Sequence, residues 1–404
     1  MRPFRITLSG LRACKDSQWQ IDSFQHRFFR PQKPAFYPRK IFARLNEFPA
    51  STKWIKPYKS APIEPTSNAH ELEYDHLQEY GETIVPIERT KWSGDGNAWD
   101  VKSFERFEAP LSFFLEWTKQ KLADPLNFCP NEGLYIAQCS ISTLPQGLQD
   151  SLPVPLYCCA TSDKHRGQVD MNGRVAQNIA IESSSIWMGI PPTETPLHKD
   201  PNSNFLVQLA GYKIVRLMKP VGGEMMLAWA KRAIAERNRA QGMAGRFDMS
   251  MRGEEMMVGP ERALMSELVW SQQLGGEKRR LLRQLEGELV AEDMEISHST
   301  PEVASDVPMA TSQLDDPLNV EYTNEDQAKI EISEAVLSPG DAVFIPTGWY
   351  HSVRSAGTAA RGINVSANWW FRLSSQQEHR AMRSNPYVPW ADDNHQEKNY
   401  SQNT

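Results

Sequence analysis

Along the chain the hydrophobic pattern changes character three times. Residues 1–60 mix aromatic, basic and proline positions without a period, as in Phe24-Gln25-His26-Arg27-Phe28-Phe29-Arg30-Pro31. This reads as extended chain with short helices, wrapped around a core. Leu111, Phe114, Leu115 and Leu122 then recur at helical spacing and predict a helix over Pro110–Leu122. From Gly133 onward the apolar runs become short: Leu134–Ala137, Ile179–Ile181, Ile186–Ile190 (stopped by Pro191-Pro192), Asn204–Leu209 and Tyr212–Leu217. Lys329–Ile332, Ala342–Ile345 and Gly362–Asn368 continue the series. The Ala210-Gly211 step between two of these runs predicts a β-hairpin. Many short strands with turn residues between them predict an antiparallel barrel or double-sheet sandwich.

The strand series is interrupted over residues 221–328. Glu224–Gln241 is helical in composition, Pro260–Leu274 begins with a helix-entry proline, and Glu277–Met294 carries Leu281, Leu282, Leu285 and Leu289 on one stripe. Eleven of the fifteen methionines lie between Met218 and Met309. Adaptable packing is the first explanation for them, a partner surface the second. Ser297–Asn319 is polar and reads as a linker. The expected organisation is therefore an N-terminal extension over residues 1–130 packing on a barrel over 131–385, a helical insertion at 221–328 within that barrel, and a polar tail at 386–404.

Composition narrows the function classes. The chain has 404 residues with 40% hydrophobic positions, enough for a core, and a net charge of −6, which argues against a generally basic nucleic-acid binder. No run approaches the roughly 18 apolar residues of a membrane span, and Met1-Arg2-Pro3-Phe4 lacks the apolar core of a signal peptide. The expectation is an intracellular protein, cytoplasmic or nuclear, with no membrane partner. The five cysteines contain no CxxC pair, so buried free thiols are expected rather than disulfides or a cysteine zinc site.

The chemistry sits in Thr195-Pro196-Leu197-His198-Lys199-Asp200. On an extended chain, side chains two apart leave the same face, so His198 and Asp200 can reach one ion. Far downstream, Ser338-Pro339-Gly340-Asp341-Ala342-Val343-Phe344-Ile345-Pro346-Thr347-Gly348-Trp349-Tyr350-His351 supplies turn, strand and turn, ending on a histidine. Two histidines and a carboxylate on one face leave open metal positions, the facial triad of non-haem Fe(II) sites. Asp341 is read as a turn-shaping residue, not a ligand. His395-Gln396-Glu397 repeats the spacing in the polar tail and is set aside.

Thr195 through Lys213, with Pro346…Trp349-Tyr350-His351 and Val365-Ser366-Ala367-Asn368-Trp369-Trp370, resembles the JmjC (cupin-like) 2-oxoglutarate oxygenases. In particular it resembles the small JmjC hydroxylase subgroup that includes the asparaginyl hydroxylase of hypoxia-inducible factor. The resemblance covers about Gly133–Leu217 and Glu331–Leu373. It implies a double-stranded β-helix, mainly β with helical additions. It implies Fe(II) held by His198, Asp200 and His351, with no catalytic side chain beyond these ligands. Lys213 would pair with the far carboxylate of 2-oxoglutarate, assisted by Thr195 and Tyr135. Asn204 and Asn368 would lie near the metal-binding end of that cosubstrate, and Trp370 would help wall the substrate pocket. The implied activity is a dioxygenase that consumes O2, releases succinate and CO2, and hydroxylates a protein side chain or a small molecule. His351 follows His198 by 153 positions, a separation the insertion lengthens.

Three other readings compete. JmjC lysine demethylation uses the same chemistry on an N-methyl group, but no zinc-finger cysteine pattern accompanies this site. A non-catalytic cupin-like binding module would not need all three ligands. A zinc or manganese cupin isomerase needs a further ligand near the HxD pair, where Lys199 and Pro201 stand. Homo-oligomerisation stays open.

Overall fold

The computed structural model describes residues 4–57, 69–93, 101–158, 179–240, 258–271, 328–356 and 362–373. The strands in chain order are β1 Phe4–Gly10, β2 Ala35–Tyr37, β3 Ile55–Pro57, β4 His70–Leu72, β5 Ile84–Trp92, β6 Val101–Pro110, β7 Glu132–Ser140 and β8 Ile179–Gly189. There follow β9 Glu194–Lys199, β10 Ser203–Ala210, β11 Tyr212–Met218, β12 Ala328–Leu337, β13 Ala342–Ile345, β14 Tyr350–Ala356 and β15 Asn364–Leu373. The three longest helices are α1 Leu111–Ala123, α2 Pro220–Ala240 and α3 Gly259–Trp270. The expected helix at Glu277–Met294, the Ser297–Asn319 linker and the tail from residue 386 lie outside the described residues.

One sheet runs β1-β12-β11-β14-β9 and the other β2-β13-β10-β15-β8-β7-β5-β6. From β8 to β11, and again from β12 to β15, successive strands alternate between the two sheets. That alternation is the winding of a jelly-roll barrel, the class expected from the sequence. The separate runs at Ile179–Ile181 and Ile186–Ile190 form one strand, β8.

The expected hairpin at Ala210-Gly211 is a correction. β10 pairs with β13 and β15, whereas β11 pairs with β12 and β14, so the chain crosses from one sheet to the other at Gly211. All eight residues of β10 and all seven of β11 are buried. A two-faced burial of that kind belongs to strands covered on both sides, not to a half-solvated hairpin. Gly211 has φ +67°, and a Cβ there would stand 2.8 Å from the Ile363 carbonyl oxygen. Gly211→Ala is expected to lower unfolding free energy by about 1–3 kcal/mol from backbone strain alone, read by chemical denaturation.

Three apolar layers hold the barrel. The outer face of the larger sheet is covered by the N-terminal aromatics: Phe24 stacks edge-on against Phe344 at 4.9 Å, Tyr37 lies 4.9 Å from Tyr157, and Phe48 lies 5.4 Å from Trp369. Each such buried ring contributes roughly 1.5–3 kcal/mol by area alone. Of the patternless N-terminal stretch, β1 pairs with β12 at the edge of the smaller sheet, β2 pairs with β13 at the edge of the larger one, and the aromatics Phe24 and Phe48 cover the larger sheet. The outer face of the smaller sheet is covered by α2 and α3, where Met218, Met226 and Met265 pack with Phe4, Ile330 and Tyr350. These three methionines fill a core, as the packing explanation holds. Inside the barrel, Leu206, Val215, Leu217, Leu337, Val343, Ile345 and Val353 pack between the sheets. Polar residues also point into this interior, among them Asn204, Gln208, Lys213, His351, Ser366 and Asn368, all of them buried.

Candidate metal centre and its buried lysine

Two strands of the smaller sheet, with the residue that follows one of them, bring the candidate ligands His198, Asp200 and His351 together. His351 on β14 stands directly across from His198 on β9, and between His351 and Val353 the pairing skips register. The irregularity restores alignment at Val353↔Thr195. His198 and Thr195, three positions apart, therefore both sit beside inward positions of β14. One ligand atom each from His198, Asp200 and His351 lies within 4.8 Å of the others. His198 Nε2 is 3.7 Å and His351 Nε2 3.6 Å from the Asp200 carboxylate, and the imidazole centroids are 4.1 Å apart. His351 is 4% exposed and His198 37%, so the cluster opens to solvent on the β9 side.

The second nitrogen of each ring is already engaged. His198 Nδ1 is 2.8 Å from the Pro196 carbonyl, and His351 Nδ1 is 3.2 Å from the Trp349 carbonyl. A carbonyl only accepts, so Nδ1 carries the proton in each ring and both Nε2 lone pairs face the cluster. Burial and then the neighbouring His198 push the pKa of His351 down to about 4, which keeps its imidazole neutral at ordinary pH. Burial works to raise the pKa of Asp200, but His351, His198 and hydrogen bonds from Trp370 and Asn204 together outweigh it and hold it below its ordinary value.

Asp200 is oriented by a short relay. Trp370 Nε1 donates to Asp200 Oδ2 at 2.8 Å, Asn204 Nδ2 donates to the same oxygen at 3.4 Å, and Asn368 Nδ2 donates to Asn204 Oδ1 at 2.8 Å. An ionised carboxylate accepts only, which fixes the sense of the whole chain of amides. Trp370, expected to wall a pocket, directs its N–H at the carboxylate. Asp341 accepts from the backbone N–H of Ser338 and of Arg39 at 2.8 and 2.7 Å, a turn residue as expected. His395-Gln396-Glu397 lies outside the described residues.

Lys213 lies four residues before the β11 position opposite His351, about 13 Å of strand away, on the same face of the sheet. It is 3% exposed. Its ammonium donates to Tyr135 Oη at 3.1 Å and to Ser366 Oγ at 2.5 Å, and among the described residues it pairs with no carboxylate. Burial pushes its pKa down to about 7. Tyr135 reaches it because its strand partner is Gly189, where a Cβ would stand 2.6 Å from the Tyr135 ring. Burial raises the Tyr135 pKa, so the phenol stays neutral. Ser366 was not among the expected site residues. Its signal is the period of two in Ser366, Asn368 and Trp370, which gives all three one face of β15.

The donor set fits a divalent metal: two imidazoles, each with its Nδ1 engaged by a backbone carbonyl, and one carboxylate converge on one point. The lysine fits an anion, since a buried ammonium with only hydroxyl partners lacks charge compensation.

The chain belongs to the cupin-like domain family, whose model matches residues 26–377. Its relatives include "Lysine-specific demethylase JMJ30" of Arabidopsis thaliana, 24% identical over 52% of this chain and 38% of that protein. "JmjC domain-containing protein F" of Dictyostelium discoideum is 24% identical over 59% of this chain and 35% of that protein. "Lysine-specific demethylase 8" of Danio rerio is 34% identical over 21% of this chain and 18% of that protein. The chain thus spans well under half the length of these relatives. Their names support the JmjC proteins at large and do not single out the asparaginyl-hydroxylase subgroup. Among the described residues, no helix is long and apolar enough to cross a membrane.

Proposed function

We propose that the chain is an Fe(II)- and 2-oxoglutarate-dependent dioxygenase that hydroxylates a protein side chain or a small molecule. The observation that carries the reading is the uncompensated buried ammonium of Lys213, inside the same barrel as the His198, Asp200 and His351 cluster. His198, Asp200 and His351 would hold the iron. Lys213 would pair with the far carboxylate of 2-oxoglutarate, with Tyr135, Ser366 and Thr195 around it. When bound, iron with 2-oxoglutarate and O2 supplies an oxidant for a C–H bond, with succinate and CO2 released. The protein contributes position, not a titrating base. Trp370 and Asn204 keep the Asp200 oxygens aimed. The two backbone carbonyls keep both Nε2 atoms free.

A second reading, removal of a methyl group from lysine, is favoured by the names of the relatives. One experiment addresses both. Purified protein with Fe(II) and 2-oxoglutarate is screened for succinate release against peptide pools, methyl-lysine peptides and metabolite pools, with His198→Ala as the blank. Succinate with a +16 mass shift on the substrate supports hydroxylation, and succinate with formaldehyde supports demethylation. Absence of succinate with every pool, together with no 2-oxoglutarate binding by calorimetry, overturns the oxygenase reading.

The lysine also sets a pH dependence. Pairing with a carboxylate needs the ammonium, and the free site holds its proton only up to about 7. Affinity for 2-oxoglutarate is therefore full below that value and falls above it, approaching tenfold per pH unit. Titration calorimetry from pH ~6.5 to ~8.5 reads this slope, and an unchanged Kd across that window would exclude Lys213 as the anion partner.

A further inference from the structure

The insertion helix α3 reaches the two ligand-bearing strands from behind. Trp270, its last residue, lies with its ring 4.5 Å from the Arg216 guanidinium and 4.4 Å from that of Arg354. Arg216 is on β11 and Arg354 on β14. Two cations on one indole favour a single placement of the ring. Arg216 Nη1 also donates to the Val269 carbonyl at 2.5 Å, and Arg216 is ion-paired with Glu334 at 2.7 Å. Arg354 donates to Ser266 Oγ at 2.5 Å and pairs with Glu194 on β9 at 3.1 Å. Glu194 also pairs with Arg262 of α3. The helix is thus tied to β9, β11 and β14 by buried, charged contacts.

One contact falls at the register skip beside His351. There Ser352 Oγ donates to the Thr195 carbonyl at 2.9 Å, joining β14 to β9 across the irregularity. Trp270 Nε1 donates to that same Ser352 Oγ at 3.2 Å. An indole N–H only donates, so the serine oxygen must accept it and its one proton is directed at Thr195. Ser352 is next to His351, and Thr195 is three residues from His198.

We propose that Trp270 and Ser352 are positioning residues for the metal centre: the N–H to hydroxyl to carbonyl relay fixes β14 against β9 at the skip and so sets the distance between the two imidazoles. The insertion then serves as the back brace of the site. This rests on the metal reading given above. Groups hydrogen-bonded directly to metal ligands typically alter metal affinity about 10–100-fold, and Trp270 and Ser352, one bond further out, are expected to act at or below the lower end.

The test uses Co(II) as the probe, read by its visible absorption bands and by titration under anaerobic conditions, on the full chain. Ser352→Ala removes the relay, and Trp270→Phe keeps a ring between the guanidinium groups without the N–H. Circular dichroism and Tm establish that each variant is folded, and Trp270→Phe retains the packing should Ser352→Ala unfold. The expected result is Co(II) affinity weakened about tenfold in Ser352→Ala and several-fold in Trp270→Phe, with shifted bands in both. Folded variants with wild-type affinity and bands overturn the brace and leave the oxygenase reading standing. Wild-type protein that takes up no Co(II), indistinguishable from Asp200→Ala, overturns both.

Discussion

Asp200→Asn is expected to cost metal affinity by at least about a hundredfold, beyond what loss of an outer partner costs, and to take succinate release to background. Asp200 is the one anionic donor in the cluster, since an imidazole binds a metal as its neutral base, so its replacement strips the donor set of its charge. The amide is nearly isosteric and its oxygen can still accept from Trp370 Nε1, which donates to the native carboxylate at 2.8 Å. The fold should therefore hold, with Tm close to wild type. Asp200→Ala loses the same metal affinity but strands the Trp370 N–H and the Asn204 amide in a half-buried site. That adds about 1–3 kcal/mol of destabilisation. The pair of variants separates the carboxylate's charge from its hydrogen bonds. Metal titration and thermal unfolding on each read the two effects. Asp200→Asn with wild-type metal affinity would mean that this cluster does not bind the ion.

Much of this site was legible because its residues obey short-range periods. His198 and Asp200 sit two apart, whereas Lys213 was legible only through the family resemblance, since a single strand lysine otherwise fits a solvent-facing position. The downstream histidine follows a strand bounded by turns. What stayed hidden depends on which strands pair. Phe205-Leu206-Val207 and Ile214-Val215 flank a glycine, and that pattern alone fits a hairpin. The distinguishing signal is that both runs are nearly unbroken rather than alternating, which marks strands covered on both faces. Gln208, Lys213 and Arg216 obscure it, because each is polar yet buried. β5 and β6 carry little strand signal because Arg89, Lys91, Lys102, Glu105 and Arg106 dilute their apolar positions at the outer end of the larger sheet. The Trp270–Ser352–Thr195 relay has no local signature at all, since its members come from three segments joined only by tertiary packing.

Lys213→Met is expected to make the protein more stable while abolishing 2-oxoglutarate binding. With its pKa lowered to about 7 from 10.5, the folded state releases the proton across a pH range where the unfolded chain keeps it. Unfolding free energy therefore rises with pH between those two values, and the burden of the buried charge is fully present below about 7. Methionine fills a similar volume without the charge. Against that gain stands the loss of a partner for the Tyr135 and Ser366 hydroxyls, about 1–3 kcal/mol at most. Replacing a buried ion pair by apolar side chains gains about 1–4 kcal/mol, and among the described residues Lys213 has no carboxylate partner to forfeit. The net expectation is a raised Tm at pH ~6 that shrinks toward zero by pH ~10, as the wild-type lysine becomes neutral. Adding 2-oxoglutarate with Mn(II) should raise the Tm of the wild type and leave that of Lys213→Met unmoved. Thermal unfolding at the two pH values, with and without the diacid, measures all four quantities. A lysine kept only for packing would give the reverse pattern: a lower Tm on substitution at both pH values, and an undiminished shift with the diacid.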